Sequence, residues 1–105
     1  MAYHQITYQF KATLTGSYRS FSKDNQTITV RLSSSAKTGG RSENFTVLLQ
    51  RRVAGVGYKT EGTAAFPRNG LKEVKFSDLP SGSYRLKFEK STDDIEVIGV
   101  GVFHN

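Results

Sequence analysis

The sequence predicts an all-β protein, an antiparallel β-sandwich of about seven strands with no significant helix. Apolar and polar residues alternate with period two along most of the chain, the pattern of a strand with one buried face. Clusters of Gly, Pro, Asn, Asp and Ser interrupt that alternation at short intervals and mark turns. The alternating runs are rich in Val, Ile, Thr, Tyr and Phe, whose branched or aromatic side chains fit a pleated surface better than a helix.

The first strand is long. Ile6, Tyr8, Phe10, Ala12 and Leu14 fall on one face, and Gln5, Thr7, Gln9, Lys11 and Thr13 on the other. Gly16-Ser17 ends it. Tyr18 to Phe21 is a short extended piece before the turn Lys23-Asp24-Asn25. Ile28, Val30 and Leu32 then alternate with Thr27, Thr29 and Arg31. Residues 33–44 read as a long polar loop because Ser and Gly dominate them. Phe45, Val47 and Leu49 define the next inward-facing run. Ala54-Gly55-Val56-Gly57 reads as a hairpin turn, since two glycines allow positive φ. Tyr58 to Thr63 returns, and Phe66 to Gly70 is a second turn region. Val74 and Phe76 mark another strand, followed by the turn Asp78 to Gly82. Tyr84, Leu86 and Phe88 alternate with Arg85, Lys87 and Glu89. Ile95 to Phe103 is apolar on both faces, which fits a central strand or one that switches face at a bulge near Gly99 or Gly101.

The segment Asn69-Gly70-Leu71-Lys72-Glu73-Val74-Lys75-Phe76-Ser77-Asp78-Leu79-Pro80-Ser81-Gly82-Ser83-Tyr84-Arg85-Leu86 resembles a stretch of Cna-B-type and other prealbumin-like modules of bacterial surface and secreted proteins. The resemblance covers about residues 45–90. It implies a sandwich of the immunoglobulin/prealbumin kind, with Leu79 plugging one end and Tyr84 re-entering the core. It also implies an extracellular binding or structural module rather than an enzyme. Such modules often carry a Lys–Asn isopeptide bond assisted by an acid. Glu89 falls near the place of that acid, but no motif places the Lys and Asn here.

A chain of 105 residues is expected to form one domain, 1–105, with a single core layer. Zero cysteine removes disulfides, thiol catalysis and Cys-ligated zinc. No run of about 18 apolar residues exists, so no membrane-spanning helix is expected. No signal-peptide pattern is read at the start. The net charge of +6 is unevenly placed: residues 1–53 hold eight Lys/Arg against two acids, and residues 54–105 hold seven against seven. That bias favours an anionic partner.

Catalytic and metal chemistry find little support. The only histidines, His4 and His104, lie at opposite ends of the chain and read as solvated residues. Without a central His, a Ser-His-Asp arrangement lacks its base. Asp93, Asp94 and Glu96 match no calcium loop and read as an Asx-rich turn. Gly55-Val56-Gly57 precedes no helix, so it is not a dinucleotide cradle. Asn25-Gln26-Thr27 and Asn44-Phe45-Thr46 match glycosylation acceptors by spacing alone.

The remaining signal is basic and aromatic. Arg51 and Arg52 precede the glycine turn, and Tyr58 and Lys59 follow it. Arg41 sits in the Ser/Gly loop, and Tyr18 and Arg19 in the early irregular piece. Converging loops at the end of a sandwich would let the aromatic rings stack on sugars while Arg and Lys hold anions. The expected function is a non-enzymatic secreted or surface module that binds an anionic polymer, glycan or lipid headgroup, without a cofactor or metal. One alternative is a small basic secreted antimicrobial or toxin-like effector acting on membranes or competing cells. Another is an assembly subunit whose edge strands pair with neighbours. No RNA-recognition signature appears, so nucleic acid is disfavoured. A monomer or weak oligomer is expected, located outside the cell or on its surface.

Overall fold

Alternation becomes strand almost everywhere. The computed structural model describes residues 2–36, 43–93 and 95–105. Among them lie nine strands: β1 (Tyr3–Phe10), β2 (Thr13–Thr15), β3 (Arg19–Phe21), β4 (Gln26–Ala36), β5 (Asn44–Val53), β6 (Gly57–Pro67), β7 (Gly70–Leu79), β8 (Gly82–Glu89) and β9 (Val97–His104). One sheet has the order β1-β9-β4-β7, the other β2-β8-β5-β6, with β3 also paired to β8. All pairings are antiparallel. Every connection except β2–β3 and β5–β6 crosses from one sheet to the other. With β2 and β3 taken as one interrupted strand, this is the wiring of a double-sheet jelly roll. The all-β antiparallel sandwich that the sequence predicts is the observed fold.

The strands number nine rather than about seven because the long first run is broken in two and the short extended piece before the Lys23-Asp24-Asn25 turn pairs with β8 as β3. At Lys11-Ala12 the chain leaves β1 in the first sheet and enters β2 in the second. The apolar face stays turned to the core through the bend, so the alternation continues across it. The loop read over 33–44 is shorter than expected, because β4 runs on through Ser33, Ser34, Ser35 and Ala36. Ser34 is buried there and shares a 2.5 Å hydrogen bond with the Tyr8 hydroxyl. Phe66, read as turn, lies on β6 and is fully buried. The two-sided apolar run becomes β9, a central strand in regular register with β1 and β4 and without a bulge. Glycines, not apolar side chains, occupy its inner face between Val97 and Phe103.

The core is strongly aromatic. Tyr8, Phe10, Phe45, Phe66 and Phe88 stack or meet edge-on, and Phe21 joins Tyr84 and Phe103 at the other end. Aromatic pairs of this kind add roughly 0.5–1.5 kcal/mol each beyond burial.

The corner from Leu79 to Tyr84 closes that end. Asp78 adopts φ 59, which turns the chain so that Leu79 points inward. The Pro80 carbonyl accepts the Tyr84 hydroxyl at 2.6 Å and the Gln26 side-chain amide at 3.0 Å. Gln26 also donates to the Phe21 carbonyl and accepts from Asn105, so its buried amide joins three segments. Burial pushes the Tyr84 phenol up to about 12. A raised folded-state value means that stability is complete below the ordinary phenol range near 10 and falls as pH rises from there to about 12. Tyr84→Phe is expected to cost about 1 kcal/mol at neutral pH, because Pro80 keeps its bond from Gln26. It should also flatten the alkaline limb. Urea unfolding at pH 7 and in steps between 9 and 12 tests both expectations.

Candidate functional site

The outer face of the second sheet gathers much of the basic and aromatic signal. Tyr84 and Leu86 fill the core, so Arg85 between them points outward. Its register partner is Gln50 on β5, which in turn faces Thr60 on β6. Tyr18 precedes β3, and Tyr58 stands opposite Arg52 near the hairpin turn. These positions bring two rings onto one guanidinium. The Arg85 Cζ lies 4.7 Å from the Tyr18 ring centroid and 4.9 Å from that of Tyr58.

Both stacks are within cation–π range. The Arg85 Nε donates to the Gln50 Oε1 at 2.9 Å, and the buried Gln50 amide donates to the Thr60 hydroxyl at 3.4 Å. The guanidinium is therefore held against two rings and along one edge. No carboxylate among the described residues forms a salt bridge with it, and its terminal nitrogens are not buried without partners. The two terminal nitrogens form a fork whose geometry matches carboxylate, phosphate or sulfate oxygens. Arg52 is exposed beside Tyr58 and likewise forms no salt bridge among the described residues. Lys87 continues the row on β8, where Glu89 meets it at 3.4 Å. Glu89 thus serves a surface pair on the outer face.

The other predicted site residues lie elsewhere. The β5–β6 register shifts at Leu49/Gln50, leaving Glu61 as an extra residue between Thr60 and Gly62. That bulge brings Glu61 to Arg51 at 2.6 Å and to Lys59 at 3.8 Å. The bond to Glu61 raises the Arg51 pKa above its ordinary value. Arg51 is therefore committed to Glu61, while Lys59, largely exposed, lies at the margin of the same pair. Arg19 pairs in register with the buried Tyr84, so it faces inward, away from Tyr18. Arg41 lies outside the described residues. Arg85 is the member that sequence reading missed. Its signal was an arginine alternating with core residues, but the stack depends on β3, β8, β5 and β6 lying side by side.

His4 and His104 do sit on neighbouring strands, yet they point to opposite faces. Tyr3 is the register partner of His104, and Phe103 that of His4. His4 packs edge-on against Phe21 and bonds the Ser20 carbonyl oxygen at 3.2 Å, so it is a half-buried strand residue rather than a solvated one. No cluster of three metal-ligating side chains occurs among the described residues, and no helix there is long and apolar enough to cross a membrane.

No protein-family model matches the sequence, and no curated protein matches it. Among solved structures the chain is similar to the crystal structure of a Yersinia pseudotuberculosis-derived mitogen. The identity is 15%, the TM-score 0.55, and the match covers 96% of this chain and 84% of that one. At this identity the likeness concerns the fold, and it agrees with the two-sheet β architecture described above.

Proposed function

We propose that this chain is a non-enzymatic, extracellular β-domain that binds an anionic polymer or glycan on the outer face of its second sheet. One observation carries the reading: Arg85 stacks between Tyr18 and Tyr58 at 4.7 and 4.9 Å without a counter-ion among the described residues. Two rings and the Gln50 amide fix the fork before any ligand arrives, so little side-chain entropy is lost on binding. Tyr58, 46% exposed, offers ring surface for a sugar, and Arg52 adds a second cation. The net charge of +6 draws in a polyanion from a distance.

The test is binding to a sulfated polysaccharide and to the uncharged polymer of the same backbone, across a range of salt. The charged polymer should bind and weaken as salt rises. Arg85→Ala should cut that binding at least 10-fold, the range for a lost charge-assisted fork. Tyr58→Ala should act in the same direction. Absence of binding in low salt, or equal binding of both polymers, defeats the proposal. A second reading, a small basic secreted effector, draws on the likeness to a bacterial mitogen. Leakage from anionic liposomes that persists in Arg85→Ala would favour it.

A further inference from the structure

Arg19 points to a second binding site. β1 is the edge of the first sheet, and β2 and β3 together form the edge of the second. The chain ties these edges where it crosses at Lys11-Ala12, and the Lys90 amide donates to the Ala12 carbonyl there at 2.9 Å. Farther along, β1 pairs only with β9, and β3 only with β8, among the described residues. Between the two edges a cleft of about 350 Å³ opens. It lies beside Gly16, which has no side chain to fill it. That volume is at the lower end of the range for small-molecule sites.

The chemistry of the cleft is divided. The core residues Phe103, Leu86 and Phe88 and the partly buried Ile6 and Leu14 line it, together with the polar, uncharged Gln5, Thr7 and Ser17. Arg19 stands on the same inner side as Tyr84 and also lines the cleft. It forms no salt bridge with any described residue. A guanidinium on the lining of a partly apolar slot, with no carboxylate among the lining residues, is complementary to an anion that carries an apolar body. A neutral ligand would leave the charge uncompensated, and a bare inorganic anion would leave the apolar floor wet.

We propose that this cleft binds a small aliphatic carboxylate, its chain between Ile6 and Leu14 over Phe103 and its carboxylate on Arg19. The site is distinct from the Tyr18–Arg85–Tyr58 stack, which lies on the opposite side of the same sheet.

Decanoate and decanol, titrated below their aggregation limits and followed by calorimetry and amide NMR, test the proposal. Decanoate should bind saturably, one per chain, with shifts at Ile6, Leu14 and Phe103. Decanol should bind at least 10-fold more weakly. Arg19→Gln should weaken decanoate about 10-fold and leave decanol unchanged, with a native NMR spectrum showing that the variant is folded. Arg85→Ala should leave decanoate binding intact, which separates this site from the polymer face. No saturable decanoate binding overturns the inference. So does equal affinity for decanol, or full affinity in a folded Arg19→Gln variant.

Discussion

Gly99→Val is expected to lower stability by about 3 kcal/mol or more and to leave much of the chain unfolded near 37 °C. Gly99 sits on the inner face of β9, opposite Tyr8 in register. A Cβ there would overlap the end of the Tyr8 ring, its hydroxyl and the Ser33 carbonyl. None of these yields easily. The Tyr8 ring stacks on Phe88 at 4.8 Å, and its hydroxyl is held by Ser34. Burial also raises the Tyr8 pKa, against the opposing effect of that bond, as expected for a phenol enclosed in a core. The Ser33 oxygen belongs to the neighbouring strand β4 and cannot retreat without opening the sheet. Thermal unfolding should show a midpoint lower by more than about 10 °C, since 1 kcal/mol moves a domain of this size by roughly 4–8 °C. A double-mutant comparison identifies the cause. Tyr8→Leu alone should destabilise, but adding it to Gly99→Ala should cost less than the two separate effects combined. Strict additivity would show that the ring is not what the glycine accommodates.

The same strand shows where sequence reading reached its limit. Both faces of the run Ile95 to Phe103 read as apolar, yet on one of them Ile98 is 40% and Val100 57% exposed. The inner face holds Gly99 and Gly101 because large neighbours, Tyr8 and Leu32, already fill the space above them. Hydropathy alone cannot show that, since a glycine counts as neither apolar nor polar in an alternation. What the sequence did disclose rested on local chemistry. The Gly55 and Gly57 turn has the positive φ values expected of it, and Leu79, Pro80 and Tyr84 form the anticipated corner. Ser33 to Ala36 was misread because serine's place in a strand depends on its partner, here the Tyr8 hydroxyl. For the candidate site, Tyr18, Arg52 and Tyr58 were legible as residue types, but their meeting with Arg85 depends on sheet order. Arg51 is diverted to Glu61 by a one-residue bulge, which no alternation count would reveal.

Arg68→Ala is the other change with a large expected effect, about 3 kcal/mol, through an ion cluster around its buried guanidinium at the end of the sandwich remote from the Tyr84 corner. The Arg68 side chain is 1% exposed and that of Lys90 0%, and Asp93 bridges the two. Arg68 Nη1 donates to Asp93 at 2.7 Å and lies 3.2 Å from Glu43, and Nη2 donates to the Ser91 hydroxyl. Only its Nε lacks a partner among the described buried side-chain atoms. Lys90 donates to Asp93, to Ser91 and to the Lys11 carbonyl. Asp93 also accepts from the Ile95 amide, so the predicted Asx turn is present and carries a second task. The cluster ties the β8–β9 loop to the β6–β7 turn, to the start of β5 and to the β1–β2 bend. Removing Arg68 leaves a cavity and leaves Asp93 with Lys90 as its one cation among the described residues. The bond from Lys90, then that from Arg68, holds the Asp93 carboxyl well below the usual carboxylate range. A depressed folded-state value gives stability that is complete above the unfolded value of 3.8 and is lost as pH falls below it. Asp93→Asn should therefore destabilise the protein at pH 7, where the two buried cations keep Glu43 as their one acid partner among the described residues. It should also flatten the acid limb, because the variant has no carboxylate at 93 to protonate. Urea midpoints for wild type and Asp93→Asn at pH 7, 5, 4 and 3 check the sign. The two curves should converge as the pH falls. Parallel curves would mean that Asp93 stabilises the loop by its hydrogen bonds alone and that its charge contributes nothing.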